Sequence, residues 1–95
     1  MGTTQTLYVP DKALANGLIP DAPETVRRAL REHGIDGWTE TSGHGYWQGQ
    51  REDVTLFSIL NSGYPDHVLA SMLRDIMPAE DAVLVTSGPV NVTFA

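Results

Sequence analysis

The side chains able to do chemistry gather between residues 42 and 58. The run Gly43-His44-Gly45-Tyr46-Trp47-Gln48-Gly49-Gln50-Arg51-Glu52 holds one of the three histidines and two adjacent aromatics, with Asp53 next. An imidazole in such a loop can serve as a base or hold a ligand near neutral pH. Tyrosine and tryptophan are the residue types that dominate binding hot spots. We therefore expect His44, Tyr46, Trp47, Gln48, Arg51 and Glu52 to form a ligand- or partner-binding site. Tyr46 and Trp47 would supply apolar contact, and His44 and Arg51 polar specificity. Glu52 reads either as an ion pair with Arg51 or as an acceptor for loop backbone N–H groups.

Catalytic and metal chemistry find less support. Ser42 or Ser58 with His44 and Asp53 makes a triad on paper, but no Gly-x-Ser-x-Gly elbow accompanies it. No His-x-His, His-x-x-x-His or His-Glu-x-x-His spacing supplies the convergent ligands a metal needs. The glycines lie between two strands, so no helix N-terminus faces a phosphate. No catalytic residue, metal or cofactor is assigned. His33 falls in the last turn of a helix, where a cation suits the helix dipole. His67 sits beside Asp66 in a first turn and reads as a solvated residue.

Composition narrows the partners. The chain has 95 residues, 41% of them hydrophobic, which suits one globular domain over residues 1–95. With no cysteine, disulfides, thiolate metal sites and cysteine catalysis are excluded. Six basic against twelve acidic residues, a net charge of −6, argue against a nucleic acid partner. Only Arg27, Arg28 and Arg31 cluster, diluted by Glu24 and Glu32. No apolar run approaches the ~20 residues of a membrane helix, and no signal peptide opens the chain, so a cytoplasmic protein without a membrane partner is expected. Met1 to Thr6 fits the loose myristoylation pattern and Asn91-Val92-Thr93 the glycosylation sequon; both read as chance matches within strands.

The elements that must position the candidate site follow from periodicity. Thr3 to Val9 alternates and reads as a strand. Pro10 to Pro20 reads as an irregular connection, long enough for a working loop. Asp21 caps a helix to about His33, with Glu24 at the capping-box position, Pro23 in the first turn and Gly34 as stop signal. Val26, Ala29 and Leu30 face the core, with Ile35 just beyond, while Arg27, Arg28, Arg31 and Glu32 fill the wet face. Gly37 to Ser42 is a polar strand, the glycine-rich run an excursion, and Asp53 to Leu60 a central strand apolar on both faces. After a turn at Asn61 to Pro65, Val68, Leu69, Met72, Leu73 and Ile76 mark a helix from about Asp66 to Ile76. Ala82 to Thr86 reads as a strand, Ser87-Gly88-Pro89 as a bend and Val90 to Phe94 as a last short strand.

The order β-α-β-β-α-β with an appended strand predicts an α+β, ferredoxin-like (split βαβ) sandwich, two helices on one face of an antiparallel sheet. Right-handed crossovers make the first and third strands central neighbours. The apolar second face of the third strand predicts a homo-oligomer, dimer or trimer, through sheet faces or edges. The helix, then Ile35-Asp36-Gly37-Trp38-Thr39-Glu40-Thr41 and the glycine-rich excursion, resembles the first half of PII-like signalling proteins and their CutA-like relatives. Tyr46-Trp47, Arg51-Glu52, Glu80 to Val85 and Pro89 to Phe94 are similar to an uncharacterised bacterial family of the same fold. The resemblance implies a ferredoxin-like oligomer whose loop between strands two and three carries effector contacts. PII-type phosphate contacts need basic residues, and Arg51 is the only one near this loop, so nucleotide binding is not carried over. The expected function is a non-enzymatic regulatory or binding module taking a small molecule or a protein through that loop. Two alternatives are a small enzyme of the dimeric α+β barrel, monooxygenase-like kind, and a phage or mobile-element protein that inhibits a host protein.

Overall fold

The computed structural model describes residues 2–14, 17–80 and 83–90, apart from the side chains of Leu14, Trp47, Pro89 and Val90. The elements run β1 (Gly2–Pro10), β2 (Ala13–Leu14), β3 (Leu18–Ile19), α1 (Ala22–Glu32), β4 (Thr39–Trp47), β5 (Gln50–Leu60), α2 (Asp66–Ile76) and β6 (Leu84–Val90). The fold is α+β, with two helices and a four-stranded antiparallel sheet in the order β4-β5-β1-β6. No described helix is long and apolar enough to cross a membrane.

Alternation along the two central strands separates the faces of the sheet. Leu7 pairs with Phe57, Gln5 with Ile59 and Val9 with Thr55, and all six are buried. The helices lie on this face. Ala22, Pro23, Val26 and Leu30 are the buried residues of α1, and Leu69, Met72 and Leu73 those of α2. Their side chains join Leu7, Val9, Phe57 and Ile59 in one core, which Ile35 and Met77 complete. Val68 and Ile76, expected on the apolar stripe, are half-buried at its edges.

Local signals explain the helix ends. The Asp21 carboxylate accepts from the Glu24 N–H at 3.3 Å. The capping box is only half made, because Arg27 draws the Glu24 carboxylate away at 3.1 Å. Arg27 is no wet-face residue. It forms two hydrogen bonds to Glu40, of 2.8 and 2.7 Å, and so ties α1 to β4. Gly34 takes φ 78°, the left-handed geometry that glycine adopts without cost. The His33 Nδ1–H donates to the Ala29 carbonyl at 2.8 Å, and its ring meets Tyr64 edge-on at 5.7 Å. The structural reading of His33 holds.

Gln5 is the one polar side chain deep among the β1 core positions. Its amide donates to the Tyr64 carbonyl and to Asp66, each at 2.8 Å, and accepts from the Ser62 hydroxyl. Asp66 also accepts from Ser87 at 2.7 Å. These bonds hold its carboxyl below the usual aspartate range, that from Gln5 most. One network therefore joins β1, the start of α2 and β6.

Three expectations need correction. The residues between Pro10 and Pro20 are not wholly irregular, since Ala13 pairs with Ile19 and Leu14 with Leu18. Ser87-Gly88-Pro89 is no bend, because β6 runs straight through it, with Pro89 opposite Thr3. Proline is tolerated there because β6 is an edge strand whose outer N–H groups need no ladder partner. The glycine-rich run is not an excursion. β4 and β5 stay paired from Thr39↔Ser58 out to Trp47↔Gln50, and only Gln48 and Gly49 form the turn. The expected strand beyond Val90 and the sequon lie outside the described residues.

Candidate functional site

The β4–β5 hairpin outruns the sheet. β1 pairs with β5 only as far as Pro10↔Val54, so residues 44–53 form a two-stranded arm. Its turn has φ 50° at Gln48 and 78° at Gly49, the type I′ geometry whose twist matches flanking strands. The pleat then sorts the arm's side chains. His44, Tyr46, Arg51 and Asp53 fall on the face continuous with the core, whereas Gly43, Gly45, Glu52 and Val54 fall on the open face.

On the first face the His44 Nδ1–H donates to Asp53 at 3.0 Å. One Arg51 nitrogen lies 3.1 Å from Nδ1 and 3.0 Å from Nε2. In the ring plane a nitrogen at both distances would clash with Cε1, so the guanidinium stacks over the imidazole, as arginine does on flat rings. No hydroxyl touches His44 among the described residues, and Ser58, by alternation, belongs to the opposite face. The paper triad is therefore not assembled. Tyr46 stands 72% exposed nearby.

The second face holds a groove of about 620 Å³ at the root of the arm. Tyr8, Pro10, Val54 and Leu56 form its floor, Gly43 and Gly45 one side, Leu84, Ala79 and Glu80 the other, and Lys12 and Leu18 its end. His44 and Tyr46 border it too, although their side chains alternate away. The glycines keep it open. A Cβ on Gly45 would lie 3.4 Å from Val54 Cγ1 and 3.8 Å from Glu52 Cγ, so any larger side chain would fill the groove.

The walls are tied in place. The Asp11 N–H donates to the Asp53 carbonyl at 2.9 Å, and its carboxylate accepts from Thr55 at 2.7 Å. That pins the segment carrying Lys12. Arg74 donates to the Glu80 carbonyl at 2.7 Å, with longer contacts to the Met77 and Pro78 carbonyls, and so shapes the opposite wall. Glu52 is held above the ordinary glutamate range, chiefly by burial and then by the like charge of Glu80.

The structure thus divides the six expected site residues. Glu52 belongs to the groove, and His44 and Tyr46 border it. Arg51 pairs with His44 on the far face, and Gln48 is an exposed turn residue. Trp47 keeps its register opposite Gln50, but its side chain lies outside the description. The expected Arg51–Glu52 ion pair is absent, because successive strand residues point to opposite faces. Tyr8, Val54, Leu56, Leu84, Lys12 and Glu80 were not anticipated. Their sequence signals were the apolar second face of β5 and, for Lys12, the long connection from Pro10 to Pro20.

A smaller groove of about 410 Å³ lies between the helices, lined by His33, His67, Ser71 and Asp75 among apolar neighbours. Among the described residues, no three His, Asp or Glu side chains are grouped to hold a metal ion. No protein-family model matches this chain, and no curated protein matches it significantly.

Proposed function

We propose that this chain is a non-enzymatic binding module of ferredoxin-like, split βαβ architecture, which takes a small ligand in the groove at the root of its arm and works as a homo-oligomer. One observation carries the ligand reading. The open face of the sheet is apolar at the arm end, through Tyr8, Val54, Leu56 and Leu84, and hydroxyl-bearing or bare elsewhere, through Thr4, Thr6, Thr41, Ser58, Thr86 and Gly88, with Leu60 the apolar exception among the described side chains. A face built for uniform burial in a neighbour would be apolar throughout, whereas a local apolar pocket with a few polar groups is what small-molecule sites look like. Strand order supports the architecture, since the first and third long strands are central neighbours. The outer edges of β4 and β6 pair with no strand among the described residues, and edge pairing offers an oligomer contact that leaves the groove open. The monooxygenase-like reading ranks lower. It wants His44 or Trp38 facing a chamber between helices and sheet. Trp38 instead packs against Phe57 and donates to Glu40, while His44 stands exposed on the arm.

A thermal-shift screen of small metabolites tests the reading. A ligand at a hundredfold its Kd should stabilise the chain by about 2.7 kcal/mol. Gly45→Leu, which fills the groove, should remove the shift while circular dichroism stays unchanged. Hits that survive this substitution place the site elsewhere and end the groove reading. Light scattering that returns a monomer would end the oligomer reading.

A further inference from the structure

We propose that two copies of this chain pair β4 to β4, antiparallel about a two-fold axis at Ser42, and that each copy thereby walls the other's groove. The inference rests on the homo-oligomer reading above and adds the surface, the register and its effect on the site. The Asp11 N–H donates to the Asp53 carbonyl, so the backbone of Asp53 faces β1 and that of Glu52, Val54 and Leu56 faces β4. Opposite these three lie Gly45, Gly43 and Thr41. The backbone N–H and C=O groups of Glu40, Ser42, His44 and Tyr46 therefore point outward, along an edge that pairs with no strand among the described residues. All four residues are exposed.

An open edge invites a further strand unless lysine, proline or a bulge blunts it. β4 contains neither lysine nor proline, and its ladder to β5 keeps one register throughout. The other edge of the sheet is blunted. Leu84, Thr86 and Gly88 face β1, which turns the backbone of Val85, Ser87 and Pro89 outward, and proline has no N–H to give.

The pattern of side chains along β4 suits a second copy. With Ser42 opposite the partner's Ser42, Glu40 meets the partner's His44, over which a guanidinium stacks, so opposite charges face each other. On the open face Gly43 meets the partner's Thr41 and Gly45 the partner's Thr39, so each bare position receives a side chain. An axis at Gly43 would instead set glycine against glycine and Glu40 against the partner's Tyr46. An axis at His44 would bring the two guanidinium-capped imidazoles together. In the favoured register the two threonines raise the side of the groove that Gly43 and Gly45 leave low.

The test uses the absence of cysteine from the sequence, which lets single-cysteine variants of the full chain each report one position. Under oxidised glutathione Ser42→Cys should form an inter-chain disulfide about tenfold faster than His44→Cys or Thr86→Cys. Facing residues of a hydrogen-bonded pair have Cα atoms about 5.5 Å apart, within disulfide reach. Ser42→Pro removes an outward donor and leaves the bonds to β5 in place, and should weaken dimerisation about tenfold in sedimentation. Ser42→Lys, which sets like charges face to face, should act in the same direction without proline's strain, and Thr86→Lys on β6 should change nothing. In a mixture of ¹³C-labelled and unlabelled chain, isotope-filtered magnetic resonance should link the Thr41 methyl of one copy to Gly43 of the other. A dimer without that link, one that crosslinks fastest at His44 or Thr86, or one undiminished by both Ser42 substitutions overturns the β4 contact and leaves the oligomer reading standing. So does a trimer, which an isologous contact cannot close. A monomer overturns both.

Discussion

At the scale of single residues, the strongest polar contact is the Arg27–Glu40 pair. Two hydrogen bonds join them, Trp38 adds a third to Glu40 at 2.9 Å, and both charged side chains are about 30% exposed. Arg27 holds the Glu40 carboxyl below its ordinary value of 4.5. A depressed carboxylate stabilises the fold above its unfolded value, and that contribution fades as pH falls through the folded value. Glu40→Gln should therefore cost about 1 kcal/mol at pH 7, and the cost should shrink as pH falls below 4.5. Urea denaturation of both proteins between pH 7 and 3 checks this. A pH-independent difference would mean the carboxylate charge is not what stabilises. The sequence announced none of the pairing, because Arg27 and Glu40 lie thirteen positions apart and on a helical wheel Arg27 looks merely solvated.

At the scale of elements, the arm shows how a glycine-rich run can mislead. Three glycines suggest a loop, yet Gly43 and Gly45 are strand residues on one face, and only Gly49 takes a positive φ, 78°, in the turn. Gly49→Ala should cost about 1 kcal/mol, the penalty for a side chain in the left-handed region, whereas Gly43→Ala, whose Cβ meets nothing closer than 4.0 Å, should cost less. Thermal melts of the two variants decide it; an equal loss would mean the two-residue turn is not the strained point. The helices were legible because an amphipathic period and its stop signals are local. Asp21, Gly34 and the Leu69-Met72-Leu73 stripe each lie where the pattern puts them. The straight run of β6 through Gly88 and Pro89 was not legible. Whether proline ends a strand depends on which edge its nitrogen faces, and pairing decides that.

At the scale of the whole molecule, the two faces of the sheet have different tasks. One takes both helices and closes the core. The other carries neither helix and gathers most of its apolar surface at the arm, where Leu18 and the 79–80 segment border it. Glu52 lies at that boundary, raised from 4.5 by burial and by Glu80. A carboxyl whose folded value is raised weakens the fold above that value, and the penalty disappears below the unfolded one. Glu52→Gln should therefore raise the melting temperature at pH 7, with the gain vanishing below pH 4.5. A gain that persists in acid would assign it to packing rather than to charge. Stabilisation by removing a groove carboxylate is the trade expected of a binding site, where local destabilisation is kept for function.

The sequence by itself determined the fold class, both helices, the places of the four long strands without the far ends of β4 and β6, and the absence of thiol chemistry, because hydrophobic period, caps and composition act over a few residues. It also marked the arm region as chemically distinctive. Only the tertiary structure decided which of those side chains act together. Strand register sends Arg51 to His44 and Glu52 to Glu80, two neighbours in sequence to two different partners. The groove itself exists because β1, β5, β6 and the 78–80 turn meet there, a convergence that no local pattern encodes.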